Sequence, residues 1–274
     1  MPSVTIIGIG RVGGALEIAF RGSEYAVESL VGRGDSIANI ASDIVLIATP
    51  DGEIANVADT LVGALIGKPI VLHTSGALSS GELSVLAEAG CSTGSIHPLV
   101  SISSAEIGAE RFAGAYFGVE GEKLAASAAK AIVAFLGGHS FEIPAANKAL
   151  YHAAAVTACG HVTALVDMAF SMMDRAGIET EISAKVLQPL IQSTIDNLRE
   201  QGTAAALTGT FARADADGLR RQLAAFEGKL TDEELEIYLD LASRSLELAT
   251  QNGLDANKIA ETDALISMAK SKLR

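Results

Sequence analysis

Three glycines and a lysine–histidine pair are the residues of this chain whose types and spacing point most directly to chemistry. Gly8, Gly10 and Gly13 stand in GxGxxG spacing inside MPSVTIIGIGRVGG. They follow Val4 to Ile9, a β-branched apolar run that reads as a buried strand. They lead into Arg11 to Phe20, which reads as a helix. In that setting Gly8 allows the tight turn, Gly10 lets the backbone approach a pyrophosphate, and Gly13 lets helix and strand pack closely. The helix start, with Arg11 and Val12, offers unpaired N–H groups and partial positive charge to phosphates. The competing reading is a purely structural turn.

Lys148 and His152 are four apart in a long periodic run, so they share a helix face, and Tyr151 adjoins Lys148 at i,i+3. A lysine ammonium can donate to, or protonate, a carbonyl oxygen while hydride arrives at carbon. A neighbouring histidine can orient the substrate or relay the proton. The competing reading is a solvated lysine and a structural histidine. His161 and Met172 read as packing residues. Ser75 is a third candidate. It lies in HTSGAL, between a strand over Pro69 to Leu72 and a helix over Gly81 to Glu88 capped by Ser79, and Gly76 leaves room for a ligand beside it. His73 in the same loop is open between a site and a structural role, and so is His97, where GSIHPL reads as a strand running into a rigid turn.

These residues need elements to hold them. The second strand, Ala26 to Val31, ends in Gly32-Arg33-Gly34-Asp35. An arginine there pairs with a 2′-phosphate and an acidic residue with a ribose 2′-OH. Arg33 favours NADP over NAD. Ser36 to Ser42 reads as a short helix and Asp43 to Ala48 as a buried strand. That strand ends in Thr49, Pro50 and Asp51, which should face the cofactor. Asp51 reads first as a cap of a helix over Glu53 to Leu65. Further strands are expected over Cys91 to Ile96, Phe112 to Gly118 and His139 to Ile143, with a helix over Glu122 to Leu136. Beyond Pro144 no alternating strand is found. Helical runs cover 147–176, 181–201, 215–226, 233–251 and 258–273. Thr231 with Glu234 forms a capping box, and Thr180 is a candidate cap. LTGTFARAD, at 207–215, reads as a loop returning to the cofactor crevice, or as a plain linker with Asp215 as a cap. The expected architecture is an α/β Rossmann-like N-terminal domain, 1–145, followed by an all-helical C-terminal domain, 146–274, for substrate and dimerisation.

Composition narrows the function. Net charge is −13, which argues against nucleic acid and anionic membrane surfaces as partners. Two cysteines, Cys91 and Cys159, make neither a disulfide scaffold nor a zinc site, so no metal is expected. No basic leader and no apolar run of membrane-spanning length are read, so a cytoplasmic protein is expected.

The pieces GIGRVGGAL, IATPD, HTSGAL, GSIHPL, YHAAAV, GIETEI and LTGTFARAD, in this order, resemble Rossmann-like proteins with a helical DUF2520 domain, a group labelled NADP oxidoreductases. The resemblance spans nearly the whole chain. More distantly, the group is similar to the 6-phosphogluconate dehydrogenase-like superfamily, with its β-hydroxyacid dehydrogenases, ketopantoate reductase and pyrroline-5-carboxylate reductase. In the first two a KxxxN pair opens the long interdomain helix. The resemblance places its lysine, a general acid/base, on Lys148 and puts His152 where the asparagine binds substrate. It puts Ser75-Gly76 on the substrate-contacting serine–glycine loop. The group usually reads LTGPxxRGD where this chain has LTGTFARAD. The function expected is NADP-dependent hydride transfer to or from a small carbonyl, hydroxyacid or imine, in a homodimer. The alternative is a non-catalytic nucleotide-binding sensor.

Overall fold

The computed structural model describes residues 1–273. It divides into two compact units, Met1–His161 and Val162–Arg274.

The first unit is built on short apolar strands that alternate with helices. In order these are β1 Ser3–Ile7, α1 Arg11–Phe20, β2 Ala26–Val31, β3 Ile44–Ile47, α2 Ile54–Val62, β4 Ile70–His73, α3 Ser84–Glu88, β5 Ser92–Pro98, α4 Ala105–Arg111, β6 Tyr116–Gly121, α5 Lys123–Phe135, β7 His139–Glu142 and α6 Lys148–Val156. The strands form one seven-stranded sheet in the order β2-β1-β3-β4-β5-β6-β7. The pairs are parallel except β5–β6, which is antiparallel. Side chains alternate across the sheet, and helices cover both faces, so both alternating sets are apolar. Ile6, Leu46 and Leu72 meet the α1 and α5 layer with Phe20 and Ile132. Ile7, Val45, Ile47 and Val71 meet Ile54, Ala58 and Leu61 of α2 on the other face.

Several local expectations are corrected. Residues 36–42 form no helix. Asn39 has a φ of 55°, and Ile40 bonds through its N–H to Ala64 and through its C=O to Ile66, which makes a bridge instead. Asp51 does not cap: it opens a 3-10 turn, Asp51–Glu53, whose N-cap is Pro50, and no side chain caps α2. Phe112 ends α4 rather than starting a strand, and β6 begins four residues later. The unexpected α4 is capped by Ser104, which accepts from the Ile107 N–H. Thr180 is the first residue of its helix, after Glu179, and caps nothing.

The second unit is helical: α7 Val162–Arg175, α8 Thr180–Ala206, α9 Gly209–Ala212, α10 Ala216–Phe226, α11 Asp232–Gln251 and α12 Ala256–Ser271. Its core joins α10, α11 and α12 through Leu219, Leu239, Leu246 and Ile266. The capping box of Thr231 and Glu234 is present, and Asp215 caps α10 by accepting from the Gly218 N–H. Arg175 grips Glu234 with two bonds of 2.6 and 2.8 Å, which ties α7 to α11. By contrast α7 has no buried residue, and α8 buries only Ser183 and Ala206.

One helical run, Ala145–Arg175, is interrupted by a π-helical turn at Thr157–His161. By length and composition alone it is long and apolar enough to cross a membrane, with a mean hydropathy of 1.4 over its most apolar window. That run was not picked out as spanning length in the sequence. Its first turns are tied into the α/β unit by Lys148 and Tyr151.

Candidate active site

The parallel strands end together on one edge of the sheet, and the order reverses between β1 and β3. That is where open α/β sheets bind ligands. A crevice of about 660 Å³ runs from Gly8–Gly10 past Arg33 to Thr49 and Pro50. A second, of about 630 Å³, shares Gly10, Ala48, Thr49 and Pro50 and continues to Ser75, His97 and His152. All these residues belong to the first unit.

At the shared end the glycines act as their spacing predicts. Gly8 has a φ of 97°, and a Cβ there would lie 2.7 Å from the Ala48 carbonyl. A Cβ on Gly13 would overlap the Gly8 carbonyl oxygen. Gly10, in contrast, faces open space. It is the N-cap of α1 in an extended conformation, and no side chain caps that end, so the first-turn amides are left to an external acceptor. The Thr49 hydroxyl oxygen, beside it, is buried with no partner. An orphan hydroxyl is costly unless a ligand satisfies it. Open space at Gly10, an uncapped helix start and an orphan hydroxyl together fit a dinucleotide. At the far end Asp35 is occupied within its own turn, accepting from the Gly32 N–H at 2.7 Å. Arg33 is exposed on the crevice and has no ion pair among the described residues.

The other end gathers four histidine and lysine side chains around the Ser75–Gly76 loop. Gly76 is the close approach: a Cβ on it would lie 2.6 Å from the His152 ring and 2.7 Å from that of His97. The two ring centroids are 5.7 Å apart. The Ser75 hydroxyl accepts from the N–H groups of Ala77 and Leu78 at 3.2 and 3.0 Å, which shapes the loop and leaves its proton to donate. Lys148 is only 1% exposed. Its Nζ donates to the Ser75 carbonyl at 2.9 Å and to Ser95 Oγ at 2.6 Å. Ser95 in turn donates to Glu120, which also takes the N–H and hydroxyl of Ser80. Burial pulls Lys148 down to about 8, against the opposing pull of Glu120 and Asp51.

His73 is fully buried and structural. Its Nδ1 accepts from the Ser75 N–H at 3.2 Å, so Nε2 carries the proton and donates to the Ser79 carbonyl at 3.1 Å. Burial, and then the Lys148 charge, press it down to about 4. His97 is pressed to about 4 by burial, then by His152 and Lys148. Its Nδ1 meets Tyr151 Oη at 2.8 Å.

Thus Ser75 and His152 line this crevice together with Gly10, Arg11, Val12, Thr49, Pro50 and Asp51. Lys148 comes to the same place but lies behind the loop, neither solvated nor open to the crevice. Ser95 and Glu120 are members that the sequence did not single out; it leaves His97 open, and it marks Tyr151 only as a neighbour of Lys148. The i,i+3 spacing of Lys148 and Tyr151 was the available signal for Tyr151.

Two family models match the chain. Residues 31–98 match a Rossmann-like domain, and residues 115–245 match DUF2520, a domain of unknown function. The chain thus carries a Rossmann-like match followed by a DUF2520 match, in the order of its two structural units. Among solved structures, protein TM1727 of Thermotoga maritima is similar at 23% identity and a TM-score of 0.70, over 91% of this chain and 99% of that one. Plasmodium falciparum pyrroline carboxylate reductase with NADP bound is similar at 13% identity and a TM-score of 0.57, over 96% and 97%. A reductive aminase of Aspergillus terreus, in complex with NADPH and ethyl-5-oxohexanoate, is similar at 17% identity and a TM-score of 0.55, over 99% and 94%. At these identities the likeness is one of fold. No curated protein matches the sequence.

Two outcomes are expected. Gly10→Ala should leave thermal stability nearly unchanged and weaken dinucleotide binding, whereas Gly13→Ala should unfold the chain at markedly lower temperature. Calorimetry of both variants checks this, and equal loss of stability in the two overturns the account of the loop. The second outcome concerns acid. His73 and His97 bind a proton near pH 4 in the fold and near 6.5 when unfolded. Between those values the unfolded chain holds more protons, so stability is full above 6.5 and falls as pH drops toward 4. Denaturant midpoints measured across this range should fall, and His73→Gln should flatten the slope.

Proposed function

We propose that this protein is an NADP-dependent oxidoreductase that transfers hydride between the nicotinamide and a small carbonyl, hydroxyacid or imine compound. The observation that carries this reading is the continuous crevice, with an uncapped helix start and an orphan threonine at one end and hydrogen-bond donors at the other. The fold likeness to reductases described with NADP and NADPH supports it.

Gly8, Gly10, Arg11, Val12 and Gly13 would hold the pyrophosphate, and Arg33 the 2′-phosphate. Thr49, Pro50 and Asp51 line the path from there to Ser75. The bound cofactor supplies the hydride. Ser75 and His152 donate to and orient the substrate. Lys148 fixes the Ser75 carbonyl and Ser95, and its ammonium favours negative charge developing nearby. It is a positioning residue in this reading rather than the direct proton donor.

The second copy belongs to the same proposal. Ile182, Val186 and Leu190 are exposed on one face of α8, four residues apart,. An uncharged apolar stripe of this kind marks a contact surface. We assign it to a homodimer built by the helices of 146–274.

NADPH should bind more tightly than NADH, and Arg33→Ala should weaken NADPH alone. Losing one charge-assisted bond costs about 1.5–3 kcal/mol, which titration resolves. Equal loss for both cofactors overturns the 2′-phosphate assignment. In a screen of ketoacids, hydroxyacids and cyclic imines followed by NADPH absorbance, Lys148→Met should lower kcat by about tenfold or more while the Kd for NADPH stays within about threefold. A parent that turns over nothing points to the sensor reading instead. Light scattering at micromolar concentration should give a dimer, and Val186→Asp should give a monomer. A monomeric parent overturns the interface.

A further inference from the structure

The β5–β6 pairing places His97 directly opposite Gly118. Gly118 is bare for a reason: a Cβ there would lie 2.8 Å from Tyr151 Oη. The phenol therefore packs over β6 and meets His97 Nδ1 at 2.8 Å, with the rings perpendicular. Burial holds the Tyr151 phenol up to about 12, so it keeps its proton. Its partner among the described residues is His97. Were Nδ1 protonated, the phenol proton would lack an acceptor in a half-buried place. With the phenol donating, Nδ1 accepts and the imidazole proton of His97 is on Nε2. Nε2 has no protein partner among the described residues and reaches the crevice beside Gly76, 2.7 Å from where a Cβ there would stand.

We infer that His97 is a catalytic residue that presents a neutral Nε2–H, fixed in that tautomer by Tyr151, to the oxygen of a carbonyl substrate. This rests on the reading of the crevice as a hydride-transfer site. It narrows the substrate class from carbonyl or imine to carbonyl. An N–H donor aimed at the reacting atom stabilises the negative charge that grows on a carbonyl oxygen as hydride arrives. An iminium nitrogen already carries a proton and has no lone pair to accept that bond. The buried Lys148 ammonium also disfavours a cationic substrate, an effect that Asp51 on the crevice wall offsets in part. In the reduction the carbonyl carbon accepts hydride from reduced nicotinamide, the π pair moves to oxygen, and that oxygen takes a solvent proton. Ketone, NADPH and one proton thus give alcohol and NADP+. His97 keeps its own proton throughout, and Tyr151 acts through it as a positioning residue.

The test starts without any substrate. Full-length protein labelled with nitrogen-15 histidine is examined near pH 7.5 by two-bond proton–nitrogen correlation, with His97 assigned from its loss in His97→Gln. The expected pattern is a neutral ring protonated on Nε2, and Tyr151→Phe should mix the two tautomers. A ring protonated on Nδ1, or on both nitrogens, overturns the inference. The second arm uses NADPH absorbance with ketones and cyclic imines. His97→Phe should lower kcat for ketones by about 10²–10³-fold, as loss of one oxyanion donor does. His97→Gln, which keeps a donor, should restore much of it, and Tyr151→Phe should lower kcat with KM for NADPH unchanged. Turnover of imines but not ketones by the parent overturns the substrate class alone. Turnover of neither, with the Nε2 tautomer intact, overturns the hydride-transfer reading and the substrate class with it.

Discussion

The constraint on which this site depends is a buried ammonium. An unpaired charge in a protein interior is too costly to keep, so Lys148 must be held by acceptors or lose its proton. It has both answers in part. Two oxygens, from Ser75 and Ser95, accept from it, and its proton affinity is pulled down to about 8. Ser95 then passes the contact to Glu120 on the neighbouring strand. One side chain thereby ties the start of α6 to the loop after β4, to β5 and through it to β6. Tyr151 follows one turn later on the same helix, and its bond to His97 makes a second tie to β5. The Ser75–Gly76 loop is thus clamped from behind by Lys148 and flanked in front by two imidazoles that leave no room for a side chain on Gly76.

The clamp makes the loop rigid. Ser75 uses its oxygen to hold Ala77 and Leu78, its N–H to hold His73, and its carbonyl to hold Lys148. Only its hydroxyl proton is uncommitted. Buried His73 serves this arrangement by accepting on one nitrogen and donating on the other, which it can do only as a neutral ring. Acid that protonates it would break one of those bonds. Loop geometry and stability against acid are therefore one property here.

The geometry of the glycine loop was legible in the sequence because its determinants are local. GxGxxG with its strand and helix spans a few residues, and Gly8 and Gly13 each have a steric reason to be there. The Lys148–His152 pair was legible for the same reason, since helical spacing fixes a shared neighbourhood. Tyr151 and His97 were not read as partners, because they lie 54 residues apart in sequence. They meet only through the antiparallel β5–β6 pairing and the absence of a side chain on Gly118. The depth of Lys148 was equally hidden: a lysine near a helix start is ordinarily solvated, and only the oxygens of Ser75 and Ser95, brought in by two different strands, make its burial tolerable. Residues 36–42 misled because a helical composition was outweighed by backbone bonds from Ile40 to Ala64 and Ile66.

A chain of net charge −13 is an unpromising partner for a polyanionic cofactor if charge is counted globally. Binding answers instead to the local field. Along this crevice the positive elements come from different sources: the uncapped amides of α1, the exposed Arg33 with its acidic neighbour Asp35 already engaged, and the Lys148 ammonium behind the Ser75 loop. A buried ammonium is screened little by salt, unlike a patch of surface lysines or an open helix end. On the proposed reading, a phosphate-bearing molecule seated in the crevice would meet these local groups, while the net charge of −13 works against long polyanions such as nucleic acids,.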